Sequence, residues 1–103
     1  MKRFVLHPEA FADLNEIWEY IATDSPDAAD RVLDEMYEAI TSLARFPQAG
    51  HSRPDLTSRP LRFQIVRDYV IAYAPDLKPV AVVAILHGRR NPRVLVAILN
   101  QRS

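Results

Sequence analysis

The sequence predicts an α+β fold of order β-α-α-β-β-β with a short C-terminal tail, in which a helical hairpin packs on a small antiparallel sheet. Three observations carry this. Two amphipathic stripes, apolar at every third or fourth position, follow one another between residues 9 and 46. A proline-rich loop, residues 47–60, comes next. Three runs rich in β-branched and aromatic residues then fill residues 61–86, separated by short turns. Two helical stripes cannot bury each other completely, so a sheet should cover them.

Arg3 to His7 is a short strand candidate. Pro8 suits the first position of a helix, where its missing N–H would be unpaired anyway. From Glu9 to Ala22 the stripe is Phe11, Leu14, Ile17, Trp18 and Ile21, with Asp13, Glu16 and Glu19 on the polar side. Trp18 lies within the stripe and is expected in the core. Ser25-Pro26-Asp27 reads as an N-cap, a proline at the first helical position and an early acid. The second stripe is Ala29, Val32, Leu33, Met36, Ile40 and Leu43; it should stop by Phe46, because Pro47 disfavours helical geometry in the residue before it.

In the loop, Gly50 is expected to supply a backbone angle that other residues resist. Leu61 to Val66 alternates, placing Leu61, Phe63 and Ile65 on one face and Arg62 and Gln64 on the other. Arg67-Asp68 is a two-residue turn before Tyr69–Ala74, and Pro75 to Pro79 is a second turn. Val80–Leu86 is apolar on both faces, as a central strand is. Gly88 should then let the chain turn sharply, clustering His87, Arg89 and Arg90 at one end of the sheet. Asn91-Pro92 can cap a last short helix through Val94, Leu95, Ile98 and Leu99, with a terminal strand as the alternative for the tail.

At 103 residues the chain is read as one domain, 1–103, with room for a single modest core. The absence of cysteine excludes a disulfide or a thiolate nucleophile. His7, His51 and His87 have no recognised metal spacing: His7 should cap or pack against the first helix, and His51 should lie exposed in the loop. With only two glycines there is no phosphate-cradling loop. No cofactor and no metal are expected. No signal-peptide core and no membrane-spanning run is visible, so the expected location is the cytoplasm.

Formal neutrality hides polarity. Residues 1–50 carry ten carboxylates against four basic side chains, and residues 51–103 carry nine basic side chains against three carboxylates. The basic half is almost all arginine, whose planar fork suits phosphate and carboxylate recognition. Such asymmetry points to an electrostatic partner.

Several segments, in order, resemble the RelE/ParE superfamily of bacterial toxin–antitoxin modules, and its ParE branch more than its RelE branch. They are His7-Pro8-Glu9-Ala10 with Asp13-Leu14 and Ile17; Tyr20-Ile21-Ala22; Leu43 to Gly50; Arg53-Pro54-Asp55-Leu56; Leu61-Arg62; and Ile85 to Arg90. The resemblance spans about residues 4–91 and implies a toxin, associated with plasmid stabilisation, that blocks DNA gyrase by binding. Arg62, His87, Arg89 and Arg90 are its expected target-binding residues, converging on one accessible rim.

The RelE branch offers a competing expectation, a metal-independent endoribonuclease that cuts message in the ribosome. Arg62 and Arg89 would then contact phosphate, and His87 would be the acid–base group. The loop lysines and late tyrosine of RelE-like enzymes are missing here, which favours binding over catalysis. A third reading is an inactive relative that only binds its antitoxin. In each case the resemblance implies a hetero-oligomer with a cognate antitoxin, of ribbon-helix-helix type. Tyr20 and Tyr37 fall away from the stripe centres; each is either an antitoxin contact, together with Arg62, or a flank residue covering the helix seam.

Overall fold

The computed structural model describes residues 3–102. Its elements are β1 (Phe4–Leu6), α1 (Pro8–Ala22), α2 (Pro26–Arg45), β2 (Arg62–Val66), β3 (Tyr69–Ala74), β4 (Val80–His87) and α3 (Pro92–Gln101). The local signals act as expected. His7 Nδ1 accepts the Glu9 N–H at 3.1 Å, Ser25 Oγ accepts that of Ala28 at 3.1 Å, and each helix has proline in its first turn. The tail is the helix α3, capped by Asn91.

The strand order is β1-β4-β3-β2. β2, β3 and β4 form the expected antiparallel meander, and β1 joins β4 in parallel, giving a mixed sheet. A parallel pairing requires a crossover connection, which the αα-hairpin between β1 and the meander supplies. Both faces of the sheet are covered. On one, Leu14, Ile17, Met36 and Ile40 of the helical hairpin pack against Ile71, Tyr73, Val82 and Ile85. On the other, Leu56 and Leu61 of the loop and Leu95 and Leu99 of α3 pack against Phe63, Val70, Ala72, Val83 and Leu86. β4, like β3, supplies both clusters by alternation, and a bulge shifts its phase. Ala72 pairs with Ala84 while Tyr73 pairs with Val82, so Val83 is the extra residue and shares a face with Ala84.

Four side chains depart from the sequence expectation. The buried stripe of α1 runs through Ala10, Leu14 and Ile17, so Phe11 stands one position off it and is 52% exposed. Trp18 is only half-buried, and its Nε1 donates to Asp30 on α2 at 2.8 Å. Ile65 shares a face with buried Phe63 yet is 69% exposed, because β2 is an edge strand whose cover ends at Phe63. Asp13, placed by periodicity on the polar side, is half-buried.

Neither glycine has a positive φ. Gly50 serves close approach instead: a Cβ there would lie 2.5 Å from Tyr73 Oη and 2.8 Å from the Phe63 carbonyl. Gly88 is similar but looser, with the Asp68 carbonyl at 3.2 Å. Among the described residues the left-handed one is Arg67, at φ 55°, the first position of the β2–β3 turn. Arg67 also clamps Glu35 of α2 through two hydrogen bonds.

Tyr73 ties the loop to the sheet. Fully buried, it donates its hydroxyl to the Pro47 carbonyl at 2.8 Å and accepts the Gly50 N–H at 2.9 Å. Tyr73→Phe leaves both backbone groups without that partner and should lower unfolding stability by about 1–3 kcal/mol in urea denaturation. Glu35 behaves differently, since Arg67's hydrogen bonds hold its pKa below the usual carboxylate value. The pair's contribution is complete above the ordinary carboxylate range and disappears as pH falls through the lowered folded value. Any stability gap between wild type and Glu35→Gln should therefore be constant near neutrality and close in acid.

Candidate functional site

β1 pairs with β4 only as far as Leu6 opposite Val82, after which His7 N–H donates to the Val82 carbonyl at 2.9 Å. From Val83 onward β4 has a neighbouring strand on one side only. Side chains take over the work of the absent strand. Asp13 Oδ2 accepts the Ile85 N–H at 2.9 Å, and Arg102 Nη1 donates to the Val83 carbonyl at 3.1 Å. The two groups also pair with each other, Nη1 to Oδ2 at 2.6 Å and Nη2 to Oδ1 at 2.9 Å. Their side chains are only 15% and 11% exposed, with Glu9 3.5 Å from Arg102 Nε. A fork-to-fork pair of this kind fixes orientation as well as charge.

Beyond the pair opens a cleft of about 470 Å³ between α1, the end of β4 and α3. Glu16 and Tyr20 line one wall, Arg90 and Ile98 another, and Tyr69 and His87 close the end. Tyr20 is 78% exposed. His87 stands edge-on to Tyr69, ring centroids 5.4 Å apart. Burial pushes the Tyr69 hydroxyl's pKa above its ordinary value, which keeps it a hydrogen-bond donor. His87 Nδ1 accepts the Arg89 N–H at 3.2 Å. In that arrangement the proton of the neutral ring sits on Nε2, which then offers a donor rather than a base.

The expected rim forms only in part. His87, Arg89 and Arg90 are together at the β4–α3 turn. Arg62 is elsewhere: it pairs with Tyr73, whereas His87 pairs with Tyr69. Four residues of strand separate those levels, about 13 Å, and β3 lies between β2 and β4. Arg62 is moreover engaged, its Nη1 donating to the Gly50 carbonyl. So Arg62, His87 and Arg89 do not converge on one phosphate-sized space, and Arg62 acts with Tyr73 to fix the loop. Tyr37, 36% exposed, lies on α2 beside Asp34 and Glu38, away from the cleft that Tyr20 lines.

Charge pairing narrows the cationic surface further. Arg53 is held by Asp55, Arg67 by Glu35 and Arg102 by Asp13, while Arg59 donates to the carbonyls of Leu99 and Arg102. At the β4–α3 turn, Arg89 has only Asp68 at 3.9 Å, and Arg90 and Arg93 have no ion pair among the described residues. All three are exposed.

The chain matches the family model described as ParE toxin of type II toxin-antitoxin system, parDE, over residues 4–92. It belongs to the ParE toxin family. Y4kP of Sinorhizobium fredii is 33% identical over 84% of this chain and 88% of its own length. Toxin ParE2 from two strains of Mycobacterium tuberculosis is 28% identical over 99% of this chain and 96% of its own. The ParE match ends at the start of α3, so Arg102 lies outside it.

Sequence reasoning missed Asp13 and Arg102 in this ParE-family chain, and with them Glu16 and Tyr69. Eighty-nine positions separate the two members of the pair, and no local spacing reports such a contact. Breaking the pair leaves a largely shielded charge without its partner. Arg102→Ala should destabilise by about 3–5 kcal/mol in urea denaturation, while Arg53→Ala, at an exposed pair, should cost at most about 1 kcal/mol.

Proposed function

We propose that this toxin acts by occupancy, not turnover: it inhibits DNA gyrase by binding it through the β4–α3 turn, and a cognate antitoxin neutralises it. One observation carries the reading. Three exposed arginines without a close ion pair among the described residues, Arg89, Arg90 and Arg93, lie within five positions of one another, where the central strand β4 turns into the capped helix α3. Rigid, exposed guanidinium groups are effective interface anchors, and they suit an acidic protein surface or gyrase-bound DNA. The endoribonuclease reading has less support, because Arg62 is separated from His87 and is engaged with the Gly50 carbonyl.

The antitoxin partner is proposed to be a ribbon-helix-helix protein with an acidic, apolar tail, and the complex a cytoplasmic hetero-oligomer. Among the described residues no helix is long and apolar enough to cross a membrane.

Purified protein should inhibit gyrase supercoiling and leave ribosome-bound message intact. The Arg89→Glu/Arg90→Glu variant should keep its melting temperature within a few degrees and need on the order of tenfold more protein for the same inhibition. Cleavage of message, lost in His87→Ala, would replace this reading with the endoribonuclease one. Unimpaired growth on expression without antitoxin would point to an inactive relative.

A further inference from the structure

The end of β4 carries an unfilled strand position, and its hydrogen-bonding phase is fixed on both sides. Gly88 N–H donates to the Asp68 carbonyl at 2.8 Å across the β3–β4 ladder, whereas Ile85 N–H turns the other way to Asp13. Alternation then directs the backbone groups of Ile85 and His87 together away from β3, into the cleft. Two of those groups are engaged: Ile85 N–H by Asp13, and the His87 carbonyl by the Arg90 N–H at 3.1 Å. The Ile85 carbonyl and the His87 N–H have no partner among the described residues, and they flank Leu86.

That remainder discriminates between strand directions. An antiparallel newcomer exchanges both bonds with one residue, and at Ile85 and at His87 one of the two groups is already engaged. A parallel newcomer instead places one residue opposite Leu86, donating to the Ile85 carbonyl and accepting from the His87 N–H. Both are free. We infer that the cleft between α1 and α3 receives an extended segment of the antitoxin, added to β4 in parallel as a continuation of the position that β1 vacates at Leu6. This rests on the antitoxin reading above and specifies where and in which direction the partner binds.

The cleft also states what the segment should carry. The residue opposite Leu86 shares its face and meets Ile98, so it should be apolar. Its neighbours turn to the α1 side, where Ile17, Tyr20, Tyr69 and His87 receive an apolar or aromatic side chain. A carboxylate further along the same direction reaches the unpaired guanidinium of Arg90. Main-chain bonds supply affinity in such additions and side-chain pockets supply selectivity.

The test uses the full chain, alone and co-purified with the product of the open reading frame beside its gene, with amide exchange followed residue by residue. In the complex the His87 amide should exchange at least about tenfold more slowly, while Ile65, on the open edge of β2, should be unchanged. Tyr20→Ala and Arg90→Glu should each weaken the complex on the order of tenfold, with melting temperatures of the free variants reporting that they fold. A complex that forms with unchanged His87 exchange, with protection at Ile65 instead, or with an antiparallel register at Leu86 overturns the inference and leaves the antitoxin reading standing. His87 protection in the chain alone, with a dimer in solution, overturns it in favour of a second copy. If no complex forms, both readings fail.

Discussion

The structure depends on how it handles the early end of β1. A three-residue edge strand beside an eight-residue central strand leaves β4 with backbone groups turned toward no neighbour. Buried polar groups without partners are costly, so something must meet them. The chain uses a carboxylate from α1 and a guanidinium from just past α3, and the two neutralise each other. One interaction therefore joins the first helix, the central strand and the last helix. Replacing such a pair wholesale by apolar residues is often tolerated, but losing one partner is not. Against a typical domain stability of about 5–15 kcal/mol, one unpaired buried charge removes a large share.

Toward the opposite edge of the sheet a second polar device holds the loop. Tyr73 and Arg62 reach Pro47 and Gly50 from neighbouring strands. Arg59 adds a clamp from the loop to the end of α3. These contacts consume arginines that the charge count alone would assign to a partner. The surplus of positive charge in the second half of the chain is thus a poor map of the cationic surface. Carbonyls and carboxylates of the same chain take five of its nine cations, and Arg89, Arg90 and Arg93, at the β4–α3 turn and the start of α3, are the largest group of the rest.

Much of the fold was legible because its signals are local. Proline and cap residues mark the starts of α1 and α2, Phe46-Pro47 marks where α2 ends, and the doubly apolar run of Val80 to Leu86 marks the central strand. The direction of β1 was not legible, since the sequence Phe4-Val5-Leu6 reads alike in either orientation. Nor was the role of Gly50, where proximity to Tyr73, distant in sequence, and not a dihedral angle excludes a side chain. Of the residues that the sequence singles out as candidate contacts, Tyr20, His87 and Arg90 line the cleft and Arg89 stands beside it. Asp13 was assigned to solvent because helical periodicity reports which side a residue faces, not that a late arginine returns to bury it. Arg62 was misplaced for a related reason: alternation gives the face of a strand but not its level along the sheet.

The central claim is that the Asp13–Arg102 pair keeps α3 seated on the sheet and so shapes both the turn and the cleft. Amide exchange across Leu95 to Leu99 in Asp13→Ala tests this most directly. The account predicts that these amides lose protection well before those of β3, so that α3 opens as a separate unit. Exchange of α3 and β3 remaining in step, as in the unaltered protein, would contradict it and assign the seating of α3 to its apolar contacts alone.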